Sequence, residues 1–179
     1  MRCLRIIKKL SAYGVFQTPT LTINTFDSRR FYADPEWRET YKDLPEAAEK
    51  NWMDGSIRLS ANDVTENALK FDDWSLSLVR TMHEEGVKII AGTDTPIGYL
   101  TPGYSLHKEL ELLSEAGLSN LEVLKSATIT PAEFFGLEGK MGTIEAGMLA
   151  DLVILNQNPL ESISNTQDIH LVIAKGYVQ

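Results

Sequence analysis

Asp94 is the side chain whose type and setting point most directly to chemistry. It ends the run Val87-Lys88-Ile89-Ile90-Ala91-Gly92-Thr93-Asp94, a short apolar segment rich in β-branched residues that reads as a buried strand. A carboxylate at the carboxyl end of such a strand stands where parallel α/β folds keep their reactive groups. The alternative is that Asp94 caps the turn that follows. His83, His107 and His170 are the only histidines, and no two of them are spaced as H-x-H or H-x-x-x-H. Cys3 is alone, so neither an internal disulfide nor a cysteine-based zinc site is available. A triad of Ser105, His107 and Asp94 lacks a Gly-x-Ser-x-Gly elbow around the serine and is set aside. His107 has two readings, a contact near the substrate or the Asp94 loop, and a structural hydrogen bond. His83 and His170 read as structural and surface residues.

The elements that position Asp94 follow from pattern. Leu4, Ile7 and Leu10 fall at helical spacing before Gly14, predicting a helix over 4–13. Residues 15–23 read as a strand through Phe16, Thr18, Thr20 and Thr22, with Pro19 near its end. Residues 28–70 are polar, with scattered aromatics, and read as a long loop over the active-site face, with some helix over 44–52. Arg29, Arg30, Tyr32, Trp37, Tyr41 and Trp52 are there either to line a substrate pocket or to staple the loop down. Asp72 or Asp73 is expected to cap a helix with Trp74, Leu78 and Met82 inward, closed by Gly86. Downstream, Leu106, Leu110 and Leu113 form a helix stripe ending at Gly117. Ser119 and Glu122 form a capping box for a helix with Leu121 and Leu124 inward. Thr130-Pro131-Ala132-Glu133 reads as a second box, whose helix packs through Phe134, Phe135 and Leu137. From Gly139 the texture turns to β, with strands near 149–155 and 171–175, and Asp151 before the first reads as structural.

The 179 residues carry 43% hydrophobic types and a formal net charge of −8. That composition supports a buried core and argues against nucleic-acid or anionic-membrane partners, which require a basic surface. No apolar run approaches membrane-spanning length. Lys8 and Lys9 interrupt the first apolar residues, so no signal peptide is read. The compartment is otherwise unmarked, with a cytoplasmic location favoured.

Several blocks recur in a recognisable order: Ala91-Gly92-Thr93-Asp94, Gly103-Tyr104-Ser105-Leu106-His107-Lys108-Glu109-Leu110, Glu115-Ala116-Gly117-Leu118, Ala127-Thr128-Ile129-Thr130-Pro131-Ala132, and Gly142 through Leu155 with Asn158-Pro159-Leu160. Their order and spacing resemble the carboxyl-terminal part of the metal-dependent amidohydrolases, the branch similar to imidazolonepropionase and the Xaa-Pro dipeptidases. The resemblance implies an α/β fold: the last two strands of a (β/α)8 barrel with their helices over 1–137, then strands of a small β-sandwich domain over 138–179. It implies a divalent metal, usually zinc, and a small-molecule substrate whose C–N bond is cleaved by metal-activated water. Asp94 matches the family's aspartate on the eighth strand, expected to contact the metal and to take the proton of the attacking water. The family's other ligands, a His-x-His pair, a lysine or glutamate and two further histidines, have no counterpart here.

A closed barrel of eight β/α units takes about 250 residues, so the chain is expected to be a portion, inactive alone. It would need the missing amino-terminal barrel portion or oligomerisation. A non-catalytic scaffold or assembly subunit of the same fold is the competing expectation.

Overall fold

The computed structural model describes residues 2–179. Helix α1 (Arg2–Ala12) leads to strand β1 (Phe16–Gln17), and three short helices follow: α2 (Leu21–Asn24), α3 (Phe26–Arg29) and α4 (Pro35–Glu39). Two longer helices, α5 (Glu46–Ser60) and α6 (Glu66–Glu84), precede strand β2 (Lys88–Ile89). Helices α7 (Tyr104–Glu115), α8 (Asn120–Ser126) and α9 (Ile129–Phe134) then lead to strands β3 (Leu152–Leu155), β4 (Ile169–Ala174) and β5 (Tyr177–Val178).

β1 and β2 pair in parallel, Phe16 opposite Lys88 and Gln17 opposite Ile89. The same turn launches both. Gly14 and Gly86 take φ of +62° and +77°, and the next amide closes back on the helix, Val15 N–H to Leu10 O and Val87 N–H to Met82 O, each 2.9 Å. A left-handed residue carrying this bond stops a helix abruptly, and only glycine adopts it without steric cost. Beneath the pair lies the main core, in which Ile7, Leu21, Val79, Ile89, Leu113 and Val123 are buried.

The strand expected over 15–23 is shorter than its threonines suggested. Pro19 offers no amide hydrogen, Thr20 turns left-handed at φ 47°, and the chain enters α2 at Leu21. Tertiary contacts override strand propensity here, through an acceptor described below.

Residues 28–70 are mostly helical rather than a loop. Asp34 caps α4 by accepting from Glu36 N–H at 2.9 Å, with Pro35 in the first turn, as helix starts favour. Thr65 caps α6 by accepting from Ala68 N–H at 3.1 Å. The cap is therefore not Asp72 or Asp73. Asp72 lies inside the helix, buried, paired with Arg29 at 2.5 Å and 3.0 Å and accepting from Ser28 at 2.7 Å. Burial pushes the Asp72 carboxyl up, but the hydrogen bonds from Arg29 and Ser28 outweigh it and hold the group below its ordinary range. The buried face of α6 runs through Ser75, Val79 and Met82, while Trp74 turns outward and stacks on Phe71 at 5.5 Å.

α8 starts with the expected capping box, Ser119 and Glu122 bonding reciprocally. Leu121 nonetheless faces out, and Val123 takes the inward place. α9 begins two residues earlier than expected, after Thr128 and without a side-chain cap, and Phe134 and Phe135 are exposed. The tail is one antiparallel sheet in the order β3-β4-β5. Asp151 accepts from Lys175 N–H at 2.6 Å, a structural role. Among the described residues the tail has no second sheet, and Val153 and Val178 are exposed. No helix among them is long and apolar enough to cross a membrane.

Candidate active site

The parallel pair sets where Asp94 stands. Past β2 the ladder continues for one bond, Ile90 N–H to Gln17 O at 2.9 Å, and Ala91 N–H then turns to Ser126 O of α8 at 3.0 Å. At Gly92 the exits of the two strands touch, where a Cβ would come within 2.5 Å of Thr18 Cγ2. Thr93 is buried, and its hydroxyl accepts from Thr95 N–H at 3.3 Å. Asp94 follows in a left-handed conformation, φ 59°, which Asp tolerates better than most residues. Its carbonyl accepts from Ile97 N–H at 3.2 Å, and its side chain is exposed. Among the described residues none hydrogen-bonds or ion-pairs with its carboxylate, which is therefore free for an external partner.

The exit of β1 is held by Glu109 of α7, wholly buried. Its carboxylate accepts from Leu21 N–H at 2.9 Å, Thr22 N–H at 2.7 Å and the Thr22 hydroxyl at 2.7 Å. It thus supplies the acceptor that the first amides of α2 require. Burial pushes its pKa up from 4.5 to about 7 against these three bonds. Sequence reasoning missed Glu109 because its partners are far away along the chain.

The segment after Asp94 lies on a second core made by Trp37, Tyr41 and Leu100, with Trp52 and Tyr99 packed against it. Most of the residues weighed as a pocket lining serve this packing. Tyr32, Trp37 and Tyr41 are buried, Arg29 bridges Asp72 and Glu115, and Arg30 donates to Leu59 O at 2.9 Å.

His107 lies elsewhere. Its Nδ1 is 3.0 Å from Thr166 Oγ1, whose hydroxyl donates to Ile163 O at 2.9 Å. The hydroxyl has one proton, so both bonds form only if His107 Nδ1–H donates, which leaves Nε2 as an acceptor. Burial holds the imidazole below its ordinary pKa. His107 lines a cleft of about 190 Å³ with Phe31, Trp37 and Tyr104, and Asp94 is not among its lining residues. Ser105 is buried with its hydroxyl unpartnered, so the serine triad is not assembled. His83 sits 3.4 Å from Glu122, and His170 is exposed on β4.

A catalytic metal needs about three protein ligands. Among the described residues no group of three or more His, Cys, Asp or Glu is placed to provide them. Asp94 offers an exposed carboxylate, and among the described residues the further donors of a complete metal site are not gathered.

Comparison with known proteins identifies the family. The pattern of the amidohydrolase family matches residues 4–178. A 5'-deoxyadenosine deaminase of Methanobrevibacter smithii is 37% identical over 76 residues, 41% of this chain and 18% of that protein. An imidazolonepropionase of Symbiobacterium thermophilum is 37% identical over 78 residues, 43% and 18% respectively. A crystal structure of a Xaa-Pro dipeptidase with bound methionine in the active site superposes with a TM-score of 0.68 at 26% identity, covering 97% of this chain and 36% of that one. The chain thus spans about a third of that dipeptidase and less of the curated relatives that it matches. Covered almost from end to end by the family's pattern, and folded like a stretch of a Xaa-Pro dipeptidase, the chain belongs to the amidohydrolase family.

Proposed function

We propose that this chain is the carboxyl-terminal part of a metal-dependent amidohydrolase that hydrolyses a C–N bond in a small molecule, an amide, cyclic amide or dipeptide. The observation that carries the reading is the free carboxylate of Asp94, in a left-handed turn five residues past the end of β2. A residue held in a sparsely populated conformation with its side chain uncommitted is the kind of outlier from which function is inferred. In this reading β1 and β2 are the last two strands of an eight-stranded barrel, the tail sheet belongs to a small sandwich, and strands outside this chain bring the histidines. A divalent metal, zinc by family resemblance, would lower the pKa of a water to roughly 7. Asp94 Oδ1 or Oδ2 takes the proton of the attacking water and returns it to the leaving nitrogen. Gly92 and Thr93 fix the backbone from which that carboxylate projects. For His107 the proposal assigns a contact across the cleft that it shares with Trp37 and Tyr104, where Nε2 would accept a substrate N–H.

The test is Asp94→Asn in the complete enzyme. Asparagine tolerates the left-handed turn and keeps the shape, but it cannot carry the proton, so kcat is expected to fall about 10²–10⁴-fold with folding intact. Unchanged turnover would end the assignment. A second reading, a non-catalytic scaffold or assembly subunit, is favoured because among the described residues no group of three or more His, Cys, Asp or Glu is gathered to hold a metal. Stoichiometric zinc bound by the 179-residue chain without added subunits would contradict the scaffold.

A further inference from the structure

Asp94 is exposed, yet the residues just after it are pinned at successive positions by the segment between β1 and α6. A Cβ at Gly98 would meet Ile23 Cδ1 at 2.7 Å. Tyr99 O accepts from the buried Trp37 indole N–H at 2.9 Å. The Tyr99 ring lies edge-on to Trp52 at 5.8 Å and to Tyr32 at 6.1 Å. Leu100 is buried, and the Thr101 hydroxyl bonds that of Thr40 at 2.6 Å.

Two of these positions break a local rule, and the same contact explains both. Tyr99 holds φ 62°, a conformation that a bulky residue adopts only when its surroundings impose it. Gly55 is buried in the middle of α5, and a Cβ there would lie 2.2 Å from the Tyr99 hydroxyl and 2.8 Å from Cζ. Glycine weakens a helix interior relative to alanine. Its place in α5 is accounted for by the ring that rests on it.

We propose that residues 23–60 are a buttress that sets the position of the Asp94 turn, with Tyr99 as the positioning residue and Gly55 as its seat. The proposal rests on the reading of Asp94 as the proton-transferring ligand. The segment fixes the height and direction of the turn from Asp94 to Thr101, and through Ile97 N–H to Asp94 O it reaches the residue that would do the chemistry.

The experiment compares wild type, Gly55→Ala, Tyr99→Phe and the double variant of the 179-residue chain by residue-resolved amide hydrogen exchange. A methyl at Gly55 is expected to speed exchange of the Thr95–Thr101 amides at least tenfold, with less than twofold change at Val79 and Met82 in α6. Removing the hydroxyl in the double variant is expected to recover part of that, because Cζ still lies close. Trp37→Phe, which removes the N–H that holds Tyr99 O, is expected to loosen the same amides without steric pressure. Uniform change across α6 and the turn, or no change at the turn, overturns the proposal. In the complete enzyme Gly55→Ala is expected to lower kcat at least tenfold with KM within twofold. Normal kcat with a displaced turn overturns the buttress and leaves the Asp94 reading intact, and that reading falls only if Asp94→Asn retains turnover.

Discussion

Glu109→Gln isolates the buried carboxylate that holds the exit of β1. In the folded chain the group titrates at about 7, against an ordinary value of 4.5, because burial outweighs the three donors that face it. Between those two values the folded chain keeps a proton that the unfolded chain has already released. Stability therefore falls as pH rises through this window and is flat above it. At 1.36 kcal/mol per pH unit, the gap amounts to about 3 kcal/mol, a large part of the ~5–15 kcal/mol that stabilises a typical domain. Glutamine has nearly the same shape and no titration.

Below the window both side chains are neutral and offer one strong acceptor each, so wild type and variant should lie within about 1 kcal/mol of each other. Above it the variant should be the more stable by about 2–3 kcal/mol, since it never buries a charge, although its amide leaves one of the Leu21 and Thr22 N–H groups facing a donor. Urea unfolding at pH 5, 6, 7 and 8, followed by circular dichroism, gives the difference directly. If wild type instead gains on the variant as pH rises, the two backbone amides and the Thr22 hydroxyl stabilise the anion more than burial opposes it, and the reasoning is refuted.

Two further substitutions test the packing around the site. Arg29→Met strands the buried Asp72 carboxylate and is expected to cost about 2 kcal/mol, less than a fully buried pair because Arg29 is partly exposed. Asp72 is held below its ordinary pKa, so its contribution is present above pH ~4 and lost as pH falls through the folded value. Denaturant midpoints at pH 7 and pH 3 should show the deficit shrinking in acid. Gly92→Ala drives a methyl against Thr18 Cγ2 and is expected to cost about 1–3 kcal/mol. Thr18→Ser removes that methyl, so the double variant should recover most of the midpoint, and failure to recover would show that the strand exits are not in the contact described.

Local signals were legible in the sequence and distant ones were not. The capping box at Ser119 and Glu122 involves residues three apart and folds as read. The glycine stops at Gly14, Gly86 and Gly117 were likewise available from short windows, whereas the strand read up to Asp94 is only Lys88–Ile89, because Ala91 N–H leaves the ladder for Ser126 O. Asp34-Pro35-Glu36 was an equally local helix start, but α4 buries Trp37 in a second core instead of forming one regular stripe, and the region read as loop; α6, opened by Thr65, packs on the main core through Val79 and Met82 while Phe71 and Trp74 stay exposed. Thr18, Thr20 and Thr22 favoured a longer β1, whereas the acceptor that turns the chain into α2 is Glu109, 87 and 88 residues away. No spacing rule reaches that far. Glu109 itself looked like a polar residue beside the stripe of Leu106, Leu110 and Leu113, and only the fold shows it wholly buried.

The residues turned inward by pattern but found outside share one physical cause. Trp74, Leu121, Phe134 and Phe135 were assigned to a core because apolar periodicity marks side chains that favour burial. It does not say which polypeptide supplies the cover. Phe135 is 68% exposed and Ile144 88% exposed, each far from what an isolated, fully packed domain would leave to water at so many neighbouring positions. β1 and β2 make the same point with their backbones, since two parallel strands alone cannot close a sheet and leave edges that demand pairing. An exposed carboxylate, uncovered apolar side chains and an open strand pair are separate deficits, and further parallel strands beside β1 and β2 would satisfy the edges and, in the proposed function, bring ligands to Asp94 at once.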